Sequence, residues 1–269
     1  MIVSLAALSI LDAGPLGQVQ ACAAAGFTHA GLRLNPLLAS DEKVAGDAAK
    51  EQALITAMED SGMALLEVGV FPIKPDMDVE GLLPVLKLSQ RLGGRFIVCP
   101  VEDDDHARRR ETFMRLADHA QAHGMMALVE FNPYSACRSL AEAVDMVEST
   151  GLAHAALVID ALHLSRSGGQ PSDLAKVPPQ LLQLVHFCDA PAYQADGRSA
   201  DELRRESRTA RLLPGEGELW LRQLLEALPA QTPISIEAPS SRHAHLSATE
   251  RAQKALSATM EFLHSIGRV

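Results

Sequence analysis

Four ionisable residues stand where short apolar runs end: Glu130 after Ala127-Leu128-Val129, Asp160 after Leu157-Val158-Ile159, His186 within Leu184-Val185-His186-Phe187, and Glu237 after Ile234-Ser235-Ile236. Burying an ionised carboxylate without a partner costs several kcal/mol, so three of them in one place call for a cation. The donor set, three carboxylates and one imidazole, is mostly hard. It suits one divalent metal ion: Mn, Mg, Co or Fe, with Zn also accommodated. Taken singly, a Glu at the end of an apolar run is as well explained by a helix cap or a surface position. Four in successive runs point to a metal centre.

For these side chains to meet, the runs that carry them must lie side by side. Strand-length apolar runs recur over Ile2–Leu5, Ala30–Leu34, Leu65–Val70, Phe96–Cys99, Met126–Glu130, Ala155–Ile159, Leu184–Phe187 and Ile234–Glu237. Each is followed by a segment of helical periodicity, the pattern of a parallel sheet covered by helices. The runs are continuous instead of alternating, so both faces of the sheet should be buried. Pro15 is placed to start the first helix and Gly26 to stop it, and Gly62, Gly93, Gly124 and Gly151 recur just ahead of later strands. Eight such units in 269 residues predict an α/β fold, a (β/α)8 TIM barrel forming one domain over 1–269. Active sites of such barrels lie at the C-terminal ends of the strands, where the four residues fall.

Composition narrows the function. A net charge of −10 argues against a protein that wraps nucleic acid, so an anionic substrate would need a local positive site, a metal or a few arginines. The cysteines, Cys22, Cys99, Cys137 and Cys188, are far apart and sit in apolar surroundings, which predicts free buried thiols in a reducing cytoplasm. No apolar stretch has the length of a membrane span, and the opening Met1–Leu11 lacks the basic residues of a signal peptide. The expectation is a cytoplasmic protein with no membrane or nucleic-acid partner. One connection stands apart: between Asp189 and a helix expected near Glu218 lies a long polar stretch with Tyr193, Arg198, Arg204, Arg205, Arg208 and Arg211. Connections of that length are usually functional lids or disordered, and Arg211, beside the Leu212–Gly217 turn, is the lid arginine to watch.

Glu130 with Asn132-Pro133, Asp160-Ala161-Leu162-His163, His186-Phe187-Cys188-Asp189, Leu213-Pro214-Gly215-Glu216-Gly217 and Ile236-Glu237 together resemble the sugar phosphate isomerase/epimerase branch of the xylose isomerase-like TIM barrel superfamily. The resemblance implies that Glu130, Asp160, His186 and Glu237 bind one divalent metal and that His163 contacts substrate, with Arg211 of the long connection added as a substrate-binding candidate from its place beside the Leu212–Gly217 turn. The substrate it implies is a small polyhydroxylated carbonyl compound, and barrels of this kind commonly associate as homo-oligomers. A metal bridging a carbonyl and a neighbouring hydroxyl would acidify the C–H between them and stabilise an enediolate. Glu130 and Glu237, on opposite sides of the substrate, would then remove and return the proton. Return to the same carbon is epimerisation, and return to the adjacent carbon is isomerisation. Expulsion of a β-hydroxyl would make the site a dehydratase of a keto-cyclitol or dehydroshikimate-like ring, and a barrel without turnover would be a sugar-binding protein. Two departures stand out. The epimerases carry an arginine about six residues after the metal-binding His, where this chain has Ala192, so Arg198 or Arg211 would have to fill that role. The extra His ligands of related DNA-repair endonucleases are replaced by Val70-Phe71-Pro72 and Val98-Cys99-Pro100.

Other polar residues have plainer readings. His29, His106, His119, His123, His154 and His264 are expected on helices or their ends as surface or capping residues, and the Glu102–Asp105 acidic run as a solvated helix start. His243 and His245, after the last strand, are within reach of the site mouth. Asp189 is read either as the partner that orients the His186 ring or as a turn cap. Glu67 gives no role on its own, Cys188 is expected to pack, and Trp220 to pack in the helix after Gly217. The Gly215–Gly217 turn reads as a positive-φ turn, with Glu216 a weak candidate near the mouth.

Overall fold

The eight apolar runs become eight strands: β1 (Val3–Leu5), β2 (His29–Leu32), β3 (Ala64–Val68), β4 (Phe96–Pro100), β5 (Met126–Glu130), β6 (Ala155–Asp160), β7 (Leu182–Phe187) and β8 (Ile234–Ile236). All neighbours pair in parallel, and β8 returns to β1, closing the barrel. The computed structural model describes residues 1–192 and 197–269; Tyr193 of the long connection lies outside the described residues. Between the strands run α1 (Gly14–Ala25), α2 (Ala48–Ser61), α3 (Leu83–Arg91), α4 (His106–Ala122), α5 (Leu140–Thr150), α6 (Ala161–Arg166), α7 (Ala200–Thr209), α8 (Leu221–Ala227) and, last, α9 (Ala248–Ser265). The helix ends follow local chemistry. Asp47, Ser139, Ser199 and Ser247 accept hydrogen bonds from the first-turn amides of α2, α5, α7 and α9, and Gly26, Gly62 and Gly151 take left-handed φ at the far ends of α1, α2 and α5.

Two apolar layers hold the molecule. Leu66, Phe96, Val98, Leu128, Ala156, Val158 and Leu184 form a cluster made of strand residues alone, which fills the barrel interior. The alternate strand residues, Ile97, Cys99, Val129, Leu157, Ile159 and Val185, join Phe113, Leu116, Val147 and Leu224 of the surrounding helices. Each candidate ligand continues an inward row by two residues: Leu128 to Glu130, Val158 to Asp160, Leu184 to His186, and Ser235 to Glu237.

Several expectations change. The connection after Asp189 is not an irregular lid, since it carries α7, and the next helix starts at Leu221 instead of near Glu218. Trp220 is half-buried, immediately precedes α8 and packs on the core as expected. His29 lies on β2 and not on a helix. In the acidic run Asp105 caps α4, but Asp103 is fully buried and binds the Arg108 guanidinium at 2.7 Å, so this run is not simply a solvated surface. All four cysteines are buried and free.

Candidate metal centre

At the C-terminal mouth of the barrel one donor atom from each of Glu130, Asp160, His186 and Glu237 lies within 4.8 Å of the other three, and all four residues are buried. The local folding that aims them is specific. Asp160 ends β6 and caps α6, its Oδ1 accepting from the His163 amide at 2.9 Å, which leaves Oδ2 facing the centre. His186 donates from Nε2 to Glu67 Oε2 at 2.8 Å. Its Nδ1 therefore faces the acids, 3.2 Å from Glu130, 3.5 Å from Glu237 and 4.0 Å from Asp160.

Glu67 is thus the partner that orients the His186 ring, the role left open for Asp189. Asp189 instead fixes the turns around it, accepting from the amides of Ala190, Gly215 and Leu219. The reason Glu67 faces inward is a bulge: Ala30 pairs with Leu65 but Gly31 with Glu67, so Leu66 is an extra residue and both Leu66 and Glu67 turn into the barrel. Gly31 makes the room, since a Cβ there would lie 2.9 Å from the Glu67 side chain. Ser235 donates its hydroxyl to the other oxygen of Glu67.

Arg211 is not on an open lid. It is fully buried, and its guanidinium reaches Asp160 Oδ2 at 2.6 Å and Glu237 Oε2 at 2.9 Å, touches Cys188 Sγ at 3.4 Å, and donates from Nε to the Ser207 carbonyl at 2.7 Å. Arg198 stays outside, paired with Glu206 at 2.9 Å. His163 is buried beside the centre, its Nε2 4.0 Å from Asp160 and its ring edge-on to Tyr134 at 5.6 Å. His243 and His245 are absent from the residues lining the cavity at this mouth, and Glu216 is exposed, accepting from the Leu213 amide within its own turn.

The electrostatics follow from crowding. Burial raises Asp160, but the charges of Arg211, His163 and His186 outweigh it and hold the carboxyl well below its usual range. Glu237 is pushed up to about 7, by burial first and by Glu130 and Asp160, against the pull of His186 and Arg211. For His186 burial acts downward, yet the Glu67 and Glu237 carboxylates hold the imidazole well above its ordinary value. Burial keeps His163 below the usual range, toward the neutral ring. A centre that already holds a guanidinium against two carboxylates, and aims an imidazole Nδ1 at all three, fits a divalent cation.

The space left beside His186 and Glu237 is about 20 Å³, room for one water-sized group. Larger hollows of about 790 and 450 Å³ flank α7, and Arg208 of that helix lines both. α7 is held down from several sides. Tyr134 Oη and Ser207 Oγ are 2.7 Å apart, Arg204 lies 5.1 Å over the Tyr134 ring, and Arg166 binds Glu206 at 2.7 Å. Sequence reasoning gave Asn132 no role beyond its place in the Glu130 motif and missed Arg33 at this mouth. The Asn132 Oδ1 is buried without a partner among the described residues and the side chain lines the smaller hollow; Arg33 lines the larger one.

An eight-stranded parallel barrel with three acids and an imidazole gathered at the ends of β5 to β8 defines a TIM-barrel protein with a candidate divalent-metal centre. The family model described as xylose isomerase-like TIM barrel matches residues 19–266, and the chain belongs to that family. No curated protein matches the sequence at a significant level. Among solved structures, the chain is similar to the IOLI protein with a binding zinc atom at 16% identity, covering 99% of each chain with a TM-score of 0.81. It is also similar to D-allulose 3-epimerase from Methylomonas sp. (15% identity, 97% of this chain and 96% of that one, TM-score 0.69). A third is L-ribulose 3-epimerase (17%, 100% and 96%, TM-score 0.70). At these identities the likeness is one of fold. Among the described residues no helix is long and apolar enough to cross a membrane.

Proposed function

We propose that the protein is a divalent-metal-dependent isomerase or epimerase of a small sugar or sugar-like keto compound, working through an enediolate. The observation that carries this reading is the convergence of Glu130, Asp160, His186 and Glu237 within 4.8 Å, with Glu67 fixing the His186 ring from behind. The two similar structures named as ketose 3-epimerases support it. A cation held by these four would polarise a substrate carbonyl and stabilise negative charge developing on its oxygen.

The chain's own residues do the rest. Glu130 and Glu237 reach the centre from β5 and the end of β8, and in this reading one carboxylate removes the proton alpha to the carbonyl while the other returns it. His163, kept neutral by burial, has a ring nitrogen to bind a substrate hydroxyl. Arg211 places a fixed positive charge beside the developing oxyanion. The 20 Å³ beside His186 does not admit a sugar, so in this reading the mouth opens to let substrate in and closes behind it, excluding water. The four buried thiols support a reducing cytoplasm as the place of work.

Incubation of the Mn-loaded protein with a panel of ketoses in deuterium oxide tests this. Deuterium should enter at the carbon next to the carbonyl, with interconversion of epimers or of aldose and ketose. Glu130→Gln and Glu237→Gln should each cut exchange roughly 10²–10⁴-fold while binding Mn more weakly. A conjugated, ultraviolet-absorbing product from a keto-cyclitol would assign the same centre to dehydration, and a protein that takes up neither metal nor deuterium would refute the proposal.

A further inference from the structure

The 790 Å³ hollow on the β1, β2 and β8 side of α7 adjoins the metal centre at Arg33. Arg33 follows β2 on the same inward row as Gly31, and it lines both this hollow and the small space beside His186 and Glu237. Charges in the hollow are unevenly matched. Asp12 is held by Arg251 at 2.6 Å, Glu42 by Lys50 at 2.9 Å, and Asp41 accepts from the amides of Leu37 and Leu38 at 2.8 and 3.1 Å. Arg33 is left with one long contact to Asp41, 3.6 Å, and its buried Nε has no acceptor among the described residues. The other buried guanidinium nitrogen in that condition is Arg251 Nε, in the same hollow. Arg208 of α7 faces this space with no hydrogen bond or ion pair to any described residue. Burial and the neighbouring Arg208 charge both press the Arg33 guanidinium down, while Asp41, Glu237 and Glu130 hold it up. Two guanidinium groups face this space with donors that no described residue satisfies, and for the buried Arg33 Nε such a donor favours a ligand that brings an acceptor.

We infer that Arg33 and Arg208 form an oxyanion subsite next to the metal centre, so that the substrate is a polyhydroxylated carbonyl compound bearing a carboxylate or phosphate at the end away from the reacting carbon. The inference rests on the proposed reading for where the reacting end lies, but the anion site itself is built from arginines that are not metal ligands. It also answers the acidic net charge: a chain of −10 meets an anion only where cations are concentrated. Arg33 reaches in from the fixed barrel and Arg208 comes down with α7, so an anion between them ties the helix over a bound substrate.

Calorimetric titration with D-glucitol, D-gluconate and D-glucitol 6-phosphate tests this, on protein loaded with Mn and again in EDTA, with bound Mn followed by electron paramagnetic resonance. One of the two anionic probes should bind at least about ten-fold tighter than glucitol, and which one does so distinguishes carboxylate from phosphate. Arg33→Gln or Arg208→Gln should remove that preference, a loss of roughly ten- to hundred-fold, while leaving Mn and glucitol binding in place. Arg208 is exposed, so its variant remains informative if the Arg33 variant folds poorly. Preference for an anion that survives both substitutions, or wild-type protein that binds all three probes alike, overturns the inference. Failure to bind Mn with the anion preference intact in EDTA would remove the metal reading and leave this one standing.

Discussion

Glu67 is not one of the four candidate ligands, yet it decides which nitrogen of His186 faces the centre. Replacing such a partner weakens metal binding through the ligand it holds, so Glu67→Gln should lower Mn affinity about 10–100-fold, read by chelator competition, with the fold unchanged in circular dichroism. The four ligands were legible in the sequence because each is a polar residue at or next to the end of an apolar run, and the strands keep them facing inward. Glu67 was not, because its orientation depends on the bulge at Leu66, which a period of two does not reveal. Arg211 was legible as a residue but not in its place. Its sequence neighbours suggested an exposed connection, whereas the attraction of Asp160 and Glu237 draws the guanidinium into the barrel mouth. The thiols carry a further expectation: burial raises Cys22, Cys137 and Cys188 to about 12 and Cys99 higher still. Native protein at pH 8 should show no thiol reacting promptly with a disulfide reagent, and denatured protein should show four.

Helix α7 is anchored by side chains instead of by a broad apolar face; among its residues only Ser207 is fully buried. Glu206 is the main tie. Burial alone would raise its carboxyl, but Arg166 and then Arg198 hold it below the ordinary 4.5. A depressed carboxylate stabilises the folded state above the unfolded value and loses that contribution as pH falls through the folded one. Amide exchange over 200–209, corrected for intrinsic rates, should therefore accelerate below about pH 4.5, and Glu206→Gln should show the faster exchange already at neutral pH. The helix was hidden in the sequence because its residues are mostly charged and only Ala200 and Leu203 are apolar, too few to mark a core-facing side. The turn after it offers a sharper test of packing. A Cβ at Gly217 would collide with Asp189 Oδ1 and lie 2.5 Å from the Ala190 carbonyl oxygen, so Gly217→Ala should cost about 1–3 kcal/mol in urea unfolding.

At the scale of the whole barrel, the centre gathers carboxylates from β5, β6 and β8 that repel one another, and Arg211 offsets only part of that repulsion. A divalent cation bound by the folded chain and not by the unfolded one should stabilise by about 2.7 kcal/mol at a hundred times its Kd, seen as a higher urea midpoint that EDTA reverses. The strand order and the barrel were the most legible level, since eight apolar runs alternating with helical segments, five of them ended by a glycine, leave few alternative topologies. Strand limits were less so: β7 begins at Leu182 and β8 ends at Ile236, one or two residues from where hydropathy places them, because pairing with neighbours extends or trims a strand regardless of side-chain polarity. Trp220 stands at the corner where the Gly217 turn presses on Asp189 and Ala190 before α8 begins. As the sole indole of the chain it gives the molecule one intrinsic fluorophore, packed on the core at the start of α8. Its emission should shift when sugar acids or phosphates are mixed with unlabelled protein, which makes the opening and closing of the mouth measurable by stopped flow in real time.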